Sequence, residues 1–121
     1  MGVVEVIVHS EIVHPYKEIE DRLRKVFGLN YVKVTDSEGD PSNNSMYRET
    51  ARYLTMRLSD CKYIVVSASK TIRNIAEQLS TSQTFPEVTF VPASGGLGEL
   101  RWENNANINA SILAQKYGAK Y

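Results

Sequence analysis

The stretch Lys62-Tyr63-Ile64-Val65-Val66-Ser67-Ala68-Ser69-Lys70-Thr71 decides the fold of this chain. Its first half is a short apolar run rich in β-branched residues, which is typical of a buried strand. Behind it, apolar residues recur at the i, i+3, i+4 and i+7 spacing of an amphipathic helix, at Ile72, Ile75, Ala76 and Leu79. The stretch therefore predicts a strand at Lys62–Ser67 that leads into a helix through Ala68 and Ser69.

Strands and helices alternate on both sides of this unit. Further strands are predicted at Val3–His9, Tyr31–Val34 and Glu87–Val91. A helix is predicted at Pro15–Phe27, with Gly28 placed to end it in the left-handed conformation and with one apolar face formed by Ile19, Leu23, Val26 and Phe27. Another helix is predicted from Ser45 to about Ser59, and a last one has an apolar side formed by Ala106, Ala110, Leu113 and Tyr117.

This order of elements, βαβαβαβα, indicates right-handed crossovers and a mainly parallel sheet with helices on both faces. The predicted fold is therefore α/β, a three-layer αβα structure with a Rossmann-like, doubly wound sheet. A length of 121 residues suits a single domain over residues 1–121.

Composition excludes several classes of protein. Hydrophobic residues make up 42% and charged residues 23% of the chain, which is the balance of a folded globular domain rather than a disordered segment. The formal net charge of zero disfavours a nucleic-acid-binding module, and no apolar run approaches the length of a transmembrane helix. A single cysteine and the absence of a signal sequence predict a cytoplasmic location.

The loop after the central strand is a candidate anion site. In Ser67–Thr71, backbone N–H groups at a helix start, two hydroxyl groups and the Lys70 ammonium group could converge on one phosphate. The alternative is that Ser69 is only a helix cap and that Lys70 is only solvated. The glycine and lysine spacing of a Walker loop is absent.

A second candidate loop, Pro92–Glu99, follows the last predicted strand. Three glycines within four residues allow a ligand to approach the backbone closely, and Glu99 could accept hydrogen bonds from sugar hydroxyls, although a flexible turn is the alternative. The spacing does not match a dinucleotide fingerprint. Among the asparagines at the start of the last helix we expect one helix cap and one ligand contact; these are Asn104, Asn105, Asn107 and Asn109.

Other reactive side chains do not form a site. His9 and His14 have no cysteine or carboxylate partners at metal-ligand spacing, and Cys61 is expected to be a buried structural thiol. No Gly-x-Ser-x-Gly elbow is present. The sequence therefore predicts no metal, no cofactor and no catalytic group.

Three segments resemble the effector-binding domain of SorC-type bacterial transcriptional regulators. They are Gly2-Val3-Val4-Glu5-Val6, the helix Glu18–Leu29, and Val91-Pro92-Ala93-Ser94-Gly95-Gly96-Leu97-Gly98-Glu99 together with Asn105-Ala106-Asn107. The resemblance runs from about Gly2 to Tyr121. It implies the fold of sugar-phosphate isomerases without their activity, a phosphorylated sugar as effector, and control of a separate helix-turn-helix domain that this chain lacks.

The resemblance also implies specific ligand contacts. The phosphate-binding turn of the family corresponds to Ala68, Ser69, Lys70 and Thr71, and the sugar contacts correspond to Ser94, Gly95, Gly96, Leu97, Glu99 and Asn107. Ser94 stands where the family often has a basic residue. The chain is similar to the first half of such an effector domain, either as a fragment or as a naturally short relative.

The predicted function is therefore sensing of a phosphorylated sugar by part of a transcriptional regulator of carbohydrate metabolism. Its expected partners are the sugar phosphate and further copies of the chain, with DNA bound only through the separate domain and no membrane contact. One alternative is a sugar-phosphate isomerase that uses Glu99 as its acid or base. Another is a ligand-free oligomerisation fragment.

Overall fold

A computed structural model describes residues 16–39, 42, 44–95 and 105–121. Its elements, in chain order, are α1 Lys17–Phe27, α2 Asn44–Arg57, a 3-10 turn at Leu58–Asp60, β1 Tyr63–Val66, α3 Lys70–Gln78, β2 Thr89–Pro92 and α4 Ala106–Lys116. These elements begin and end close to the predicted boundaries. The predicted strand Val3–His9 lies outside the described residues.

The two strands form a parallel pair. Tyr63 lies opposite Thr89, and Val66 lies opposite Pro92. On the other side of β2, the Phe90 N–H donates to the carbonyl oxygen of Lys120 at 2.9 Å, and the Lys120 N–H donates to that of Val88 at 2.8 Å. The chain after α4 thus returns to pair with β2, and the predicted mixture of helices and parallel strands is confirmed.

Helices α2, α3 and α4 share one core with the inner face of this strand pair. Alternation along the strands turns Ile64, Val66 and Phe90 toward the core, whereas Tyr63 and Val65 are 62% and 68% exposed. The described helices of the core therefore cover one face of the strand pair. The third layer of the predicted fold is not among the described elements.

Helix α4 is the central packing element. Ala106, Ala110, Leu113 and Tyr117 are each at most 3% exposed, so the predicted apolar side of this helix is confirmed. The Tyr117 ring lies parallel to the ring of Phe90, with 6.0 Å between their centroids. This stacking fixes the end of α4 against the strand that leads into the second candidate loop.

Helix α1 ends as predicted but packs differently. Gly28 adopts φ 63° and ψ 36°, and its N–H donates to the carbonyl oxygen of Arg24. Val26 and Phe27 are 74% and 66% exposed, whereas Glu20 is buried. The expected packing of the apolar face on the sheet is therefore not observed, because the helix turns its Glu20 side inward.

The segment Tyr31–Val34 has no regular secondary structure, so it is not the strand that its alternating pattern predicts. A strand requires a ladder of backbone hydrogen bonds to a neighbour. Here the Val34 N–H donates instead to Glu20 Oε2 at 2.7 Å, and the Tyr31 ring stacks on Tyr53 of α2 with 4.2 Å between centroids. These two side-chain contacts join the segment to α1 and α2.

Candidate functional site

The two candidate loops start side by side at one edge of the sheet. β1 ends at Val66 and β2 ends at Pro92, and these residues are partners in the parallel register. Just beyond them, the Ala93 N–H donates to the carbonyl oxygen of Val66 at 2.7 Å. The loops that begin at Ser67 and Ala93 therefore leave the sheet together, at the carboxyl ends where open α/β sheets bind ligands.

Ser69 is the N-cap of α3. Its backbone is extended, and its hydroxyl oxygen accepts hydrogen bonds from the backbone N–H groups of Thr71 and Ile72 at 3.1 and 3.3 Å. Serine is a preferred cap because this contact satisfies N–H groups that have no partner within the helix. The capping role that the sequence left as an alternative is therefore present, and two of the N–H groups available to an anion are already bonded to Ser69.

The neighbouring residues leave polar groups at the surface. Ala68, Lys70 and Thr71 are exposed, and α3 directs the positive end of its dipole toward this edge. An incoming anion would meet the Lys70 ammonium group and the Thr71 hydroxyl group first. It could reach the N–H groups of Thr71 and Ile72 only by sharing them with Ser69 or by displacing its hydroxyl group.

Asn109 of helix α4 is hydrogen-bonded to the first candidate loop. The Asn109 side chain is fully buried, and its Nδ2 donates to the carbonyl oxygens of Ser67 and Ser69, both at 3.2 Å. Asn109 thus joins the last helix to the backbone of the first candidate loop. Its sequence signal is an amide on the otherwise apolar side of α4, directly before Ala110, and we did not predict this role.

The start of α4 contains the expected asparagine cap. Asn105 Oδ1 accepts a hydrogen bond from the Asn107 N–H at 2.7 Å, so Asn105 is the cap. Asn107 itself is half-buried in the first turn of the helix. Its proposed contact with a sugar remains a prediction.

The second loop is described only in its first part. Ser94 is half-buried, and Gly95 is exposed, without a positive φ, and with nothing within 4 Å of the position that a Cβ would occupy. The remaining predicted sugar contacts lie outside the described residues; they are Gly96, Leu97 and Glu99. Glu99, on which the isomerase alternative depends, is one of these residues.

The clearest electrostatic shifts lie away from this edge. Hydrogen bonds from Arg52 lower the pKa of Glu49. The raised pKa of the neighbouring Tyr31 is caused mainly by burial. In the core, burial raises the pKa of Tyr117, while a hydrogen bond with Thr55 acts in the opposite direction. These groups bind the elements together and do not face the candidate loops.

Within the ranges that the structure describes, no three His, Cys, Asp or Glu side chains are grouped so that they could hold a metal ion. His9 and His14 lie outside those ranges. Cys61 lies two residues before β1 and is half-buried, contrary to the expectation of a buried thiol. No helix in the described ranges is both long enough and apolar enough to cross a membrane.

Comparison with known families assigns the chain to one of them. Residues 13–121 match the Sugar-bind family model, whose description is "Putative sugar-binding domain". The chain belongs to this family. The match covers both candidate loops and all of the described elements.

Two curated relatives are regulators by name. The chain is 34% identical over 107 residues to the central glycolytic genes regulator of Priestia megaterium (strain DSM 319 / IMG 1521). It is 29% identical over 119 residues to the protein of that name from Bacillus subtilis (strain 168). Each comparison covers 85% of this chain but only 31% and 35% of the relatives, so the chain spans about a third of their length.

Two solved structures share the fold. One is a DeoR family transcriptional regulator from Listeria monocytogenes, with a TM-score of 0.71, 24% identity, and coverage of 88% of this chain and 42% of that one. The other is described as a probable sor operon regulator from Shigella flexneri, with a TM-score of 0.72, 24% identity, and coverage of 85% and 44%. The α/β fold of this family member is therefore similar to that of regulator domains of the DeoR and SorC type.

Proposed function

We propose that this chain is the phosphosugar-sensing, effector-binding part of a transcriptional regulator of carbohydrate metabolism. The observation that carries the proposal is the pairing of Val66 with Pro92, which starts both candidate loops at the same edge of the sheet. Membership of a sugar-binding-domain family supports a sugar as the class of ligand. The names of the relatives, which are regulators, favour sensing over catalysis.

The phosphate is proposed to bind at the start of α3. Lys70 would supply charge and Thr71 a hydroxyl donor, while Ala68 and Ser69 form the adjoining backbone of the turn. Because the Ser69 hydroxyl already accepts two hydrogen bonds, binding exchanges part of the cap for contacts with the phosphate. The affinity therefore depends on how readily Ser69 leaves these N–H groups.

The sugar is proposed to lie between the two loops and the start of α4. Ser94 and Asn107 would bond its hydroxyl groups, and the open space beside Gly95 would admit it close to the backbone. Gly96, Leu97 and Glu99 complete the proposed set of contacts. Asn109 would hold the loop carbonyls in place without touching the ligand.

We propose further features for the complete regulator. DNA would be bound by a separate helix-turn-helix domain, and the regulator would act as a homo-oligomer in the cytoplasm. A further layer would cover the outer face of β1 and complete the three-layer, Rossmann-like fold. Sensing requires that the sugar phosphate bind one arrangement of the protein more tightly than another, since equal affinity for both shifts neither.

Thermal unfolding with added ligands tests the proposal. The panel consists of fructose bisphosphate, hexose phosphates and triose phosphates, each with its unphosphorylated counterpart. Ligand at about 100 times its dissociation constant stabilises the folded state by about 2.7 kcal/mol. For a domain of this size the midpoint should rise by on the order of 10 °C.

Two variants with one change each locate the effect. Thr71→Val removes the proposed hydroxyl donor, and Thr84→Val makes the same change at an exposed position in the loop before β2. We expect the rise with sugar phosphates to be much reduced in Thr71→Val and to persist in Thr84→Val. An equal rise with the unphosphorylated sugars, or equal behaviour of the two variants, would contradict the assignment of the phosphate site.

A further inference from the structure

A cavity lies at the opposite end of α3 from the candidate site. It is a groove of about 430 Å³ between one face of α2 and the chain that follows α3. Ala51 and Leu79, which are both buried, contribute to its apolar part. Because α3 runs from Lys70 to Gln78, the groove is separated from Ser69 by a helix about 13 Å long.

Two arginines one turn apart line this groove. Arg48 and Arg52 occupy i and i+4 on α2, where like charges are neighbours and destabilise a helix. Arg52 is partly neutralised, since its Nε donates to Glu49 Oε1 at 2.9 Å. The Arg48 side chain is exposed and forms no hydrogen bond or ion pair with any residue in the described ranges.

The rest of the lining lacks negative charge. No aspartate or glutamate lines the groove within the described ranges, and Ser80, Thr81 and Gln83 add hydroxyl and amide groups to the wall opposite Arg48. Such groups bind hydroxyl groups of a ligand, while a guanidinium group forms paired hydrogen bonds with a carboxylate or a phosphate. The lining therefore combines one available guanidinium group with groups suited to a polyol.

Hydrogen bonds to neighbouring helices hold the walls of the groove in place. Gln78 Nε2 donates to Asn44 Oδ1 at 2.8 Å, which joins the end of α3 to the start of α2. Lys116 Nζ donates to the Leu79 carbonyl oxygen at 3.0 Å, which joins the following chain to α4. The cavity is thus formed before any ligand arrives, and its volume lies within the range of small-molecule sites.

We propose that this groove is a second ligand site, which binds a small organic anion that carries hydroxyl groups and whose anionic group contacts Arg48. A hydroxycarboxylate and a sugar phosphate share this chemistry. The site is separate from the sheet edge where the effector is proposed to bind. Its existence does not depend on that assignment.

Amide chemical shifts of the 15N-labelled 121-residue chain locate the binding. The probes are gluconate, glucose 6-phosphate and neutral glucose, at constant ionic strength. We expect at least one of the two anions to shift the signals of Ser80, Thr81 and Gln83 in a saturable manner, and glucose to leave them unchanged. The anion that binds with the higher affinity shows whether the site prefers a carboxylate or a phosphate.

Substitutions on α2 test the role of the charge. Arg48→Gln should weaken this binding at least tenfold, and Arg48→Lys, which keeps the charge but loses the paired donors, should weaken it less. Arg57→Gln is the matched control, because Arg57 lies on the same helix, outside the groove, and pairs with Asp60 at 3.8 Å. Circular dichroism of each variant verifies that the helices are retained.

Three results would overturn the proposal: no saturable shift with either anion, equal shifts with glucose, or equal losses in Arg48→Gln and Arg57→Gln. The Thr71→Val variant separates the two sites. Loss of the shifts near Ser69 together with unchanged shifts at Ser80 and Thr81 supports two independent sites. If the shifts at Ser80 and Thr81 persist while no sugar phosphate binds at the sheet edge, the groove site stands and the proposed effector site fails.

Discussion

Asn109 Nδ2 lies 3.2 Å from the carbonyl oxygen of Ser69, so that a buried side chain of the last helix holds the backbone where α3 begins. The same nitrogen lies 3.2 Å from the carbonyl oxygen of Ser67. The first candidate loop is therefore attached to α4 as well as to β1 and α3. Because of these two hydrogen bonds, a movement of α4 would change the shape of this loop.

We predict that Asn109→Leu lowers the free energy of unfolding by about 1–3 kcal/mol, because the carbonyl oxygens of Ser67 and Ser69 each lose a hydrogen bond from a fully buried side chain. Urea unfolding measures this change. Ser111→Ala, on the exposed side of the same helix, should change the stability by less than about 0.5 kcal/mol. A stability of Asn109→Leu equal to that of the wild type would show that these hydrogen bonds do not hold the loop.

The cap of α3 gives a second prediction. Ser69→Ala should lower the free energy of unfolding by about 1 kcal/mol, since the N–H groups of Thr71 and Ile72 lose their acceptor. Ser82→Ala, at an exposed loop position, is the control and should be nearly neutral. If phosphate displaces the Ser69 hydroxyl group, the variant should be stabilised by a sugar phosphate at least as strongly as the wild type is.

Two glycines allow a test of backbone strain without side-chain clashes. A Cβ at Gly28 or at Gly39 would meet nothing within 4 Å, but only Gly28 has a positive φ, of 63°. Gly28→Ala should therefore cost about 1–2 kcal/mol of stability, whereas Gly39→Ala should be neutral or slightly stabilising. Equal effects of the two substitutions on urea unfolding would contradict the left-handed end of α1.

Burial of Tyr117 predicts a loss of stability at alkaline pH. Its pKa in the folded chain is raised above 10.0, so the folded state retains this proton where the unfolded state releases it. The contribution of Tyr117 is therefore constant below about pH 10 and decreases as the pH rises through its pKa in the folded chain. Above about pH 10, the free energy of unfolding should depend less steeply on pH in Tyr117→Phe than in the wild type. Tyr121→Phe, at an exposed position, is the control and should leave this dependence unchanged.

Much of the fold could be predicted because the local sequence patterns agree with the packing that the structure shows. The apolar side of α4, the left-handed Gly28 and the strand that leads into Ser69 follow from spacing and from backbone preferences alone. Tyr31–Val34 could not be predicted correctly in this way, because alternation also occurs in an irregular segment that side chains hold in place. The contact between Glu20 and Val34 joins positions 14 residues apart, and no short pattern encodes it.

Only part of the candidate site could be predicted from the sequence. The sequence indicates which loops follow the strands, and the parallel register brings their starting points together at Val66 and Pro92. It also indicates that an asparagine caps α4, which is Asn105. It could not assign Asn109 to the loop, because that contact depends on how α4 crosses the strands, and the groove beside Arg48 likewise depends on the packing of α2 against the end of α3.

The most direct test of the central claim is a map of amide chemical shifts in the 15N-labelled chain titrated with fructose bisphosphate and with fructose. We predict saturable shifts at Ala68, Ser69, Lys70 and Thr71, together with Ser94, Gly95 and Asn107, with the phosphorylated sugar only. Shifts confined to other parts of the chain, or equal shifts with fructose, would contradict a phosphosugar site at the edge formed by β1 and β2.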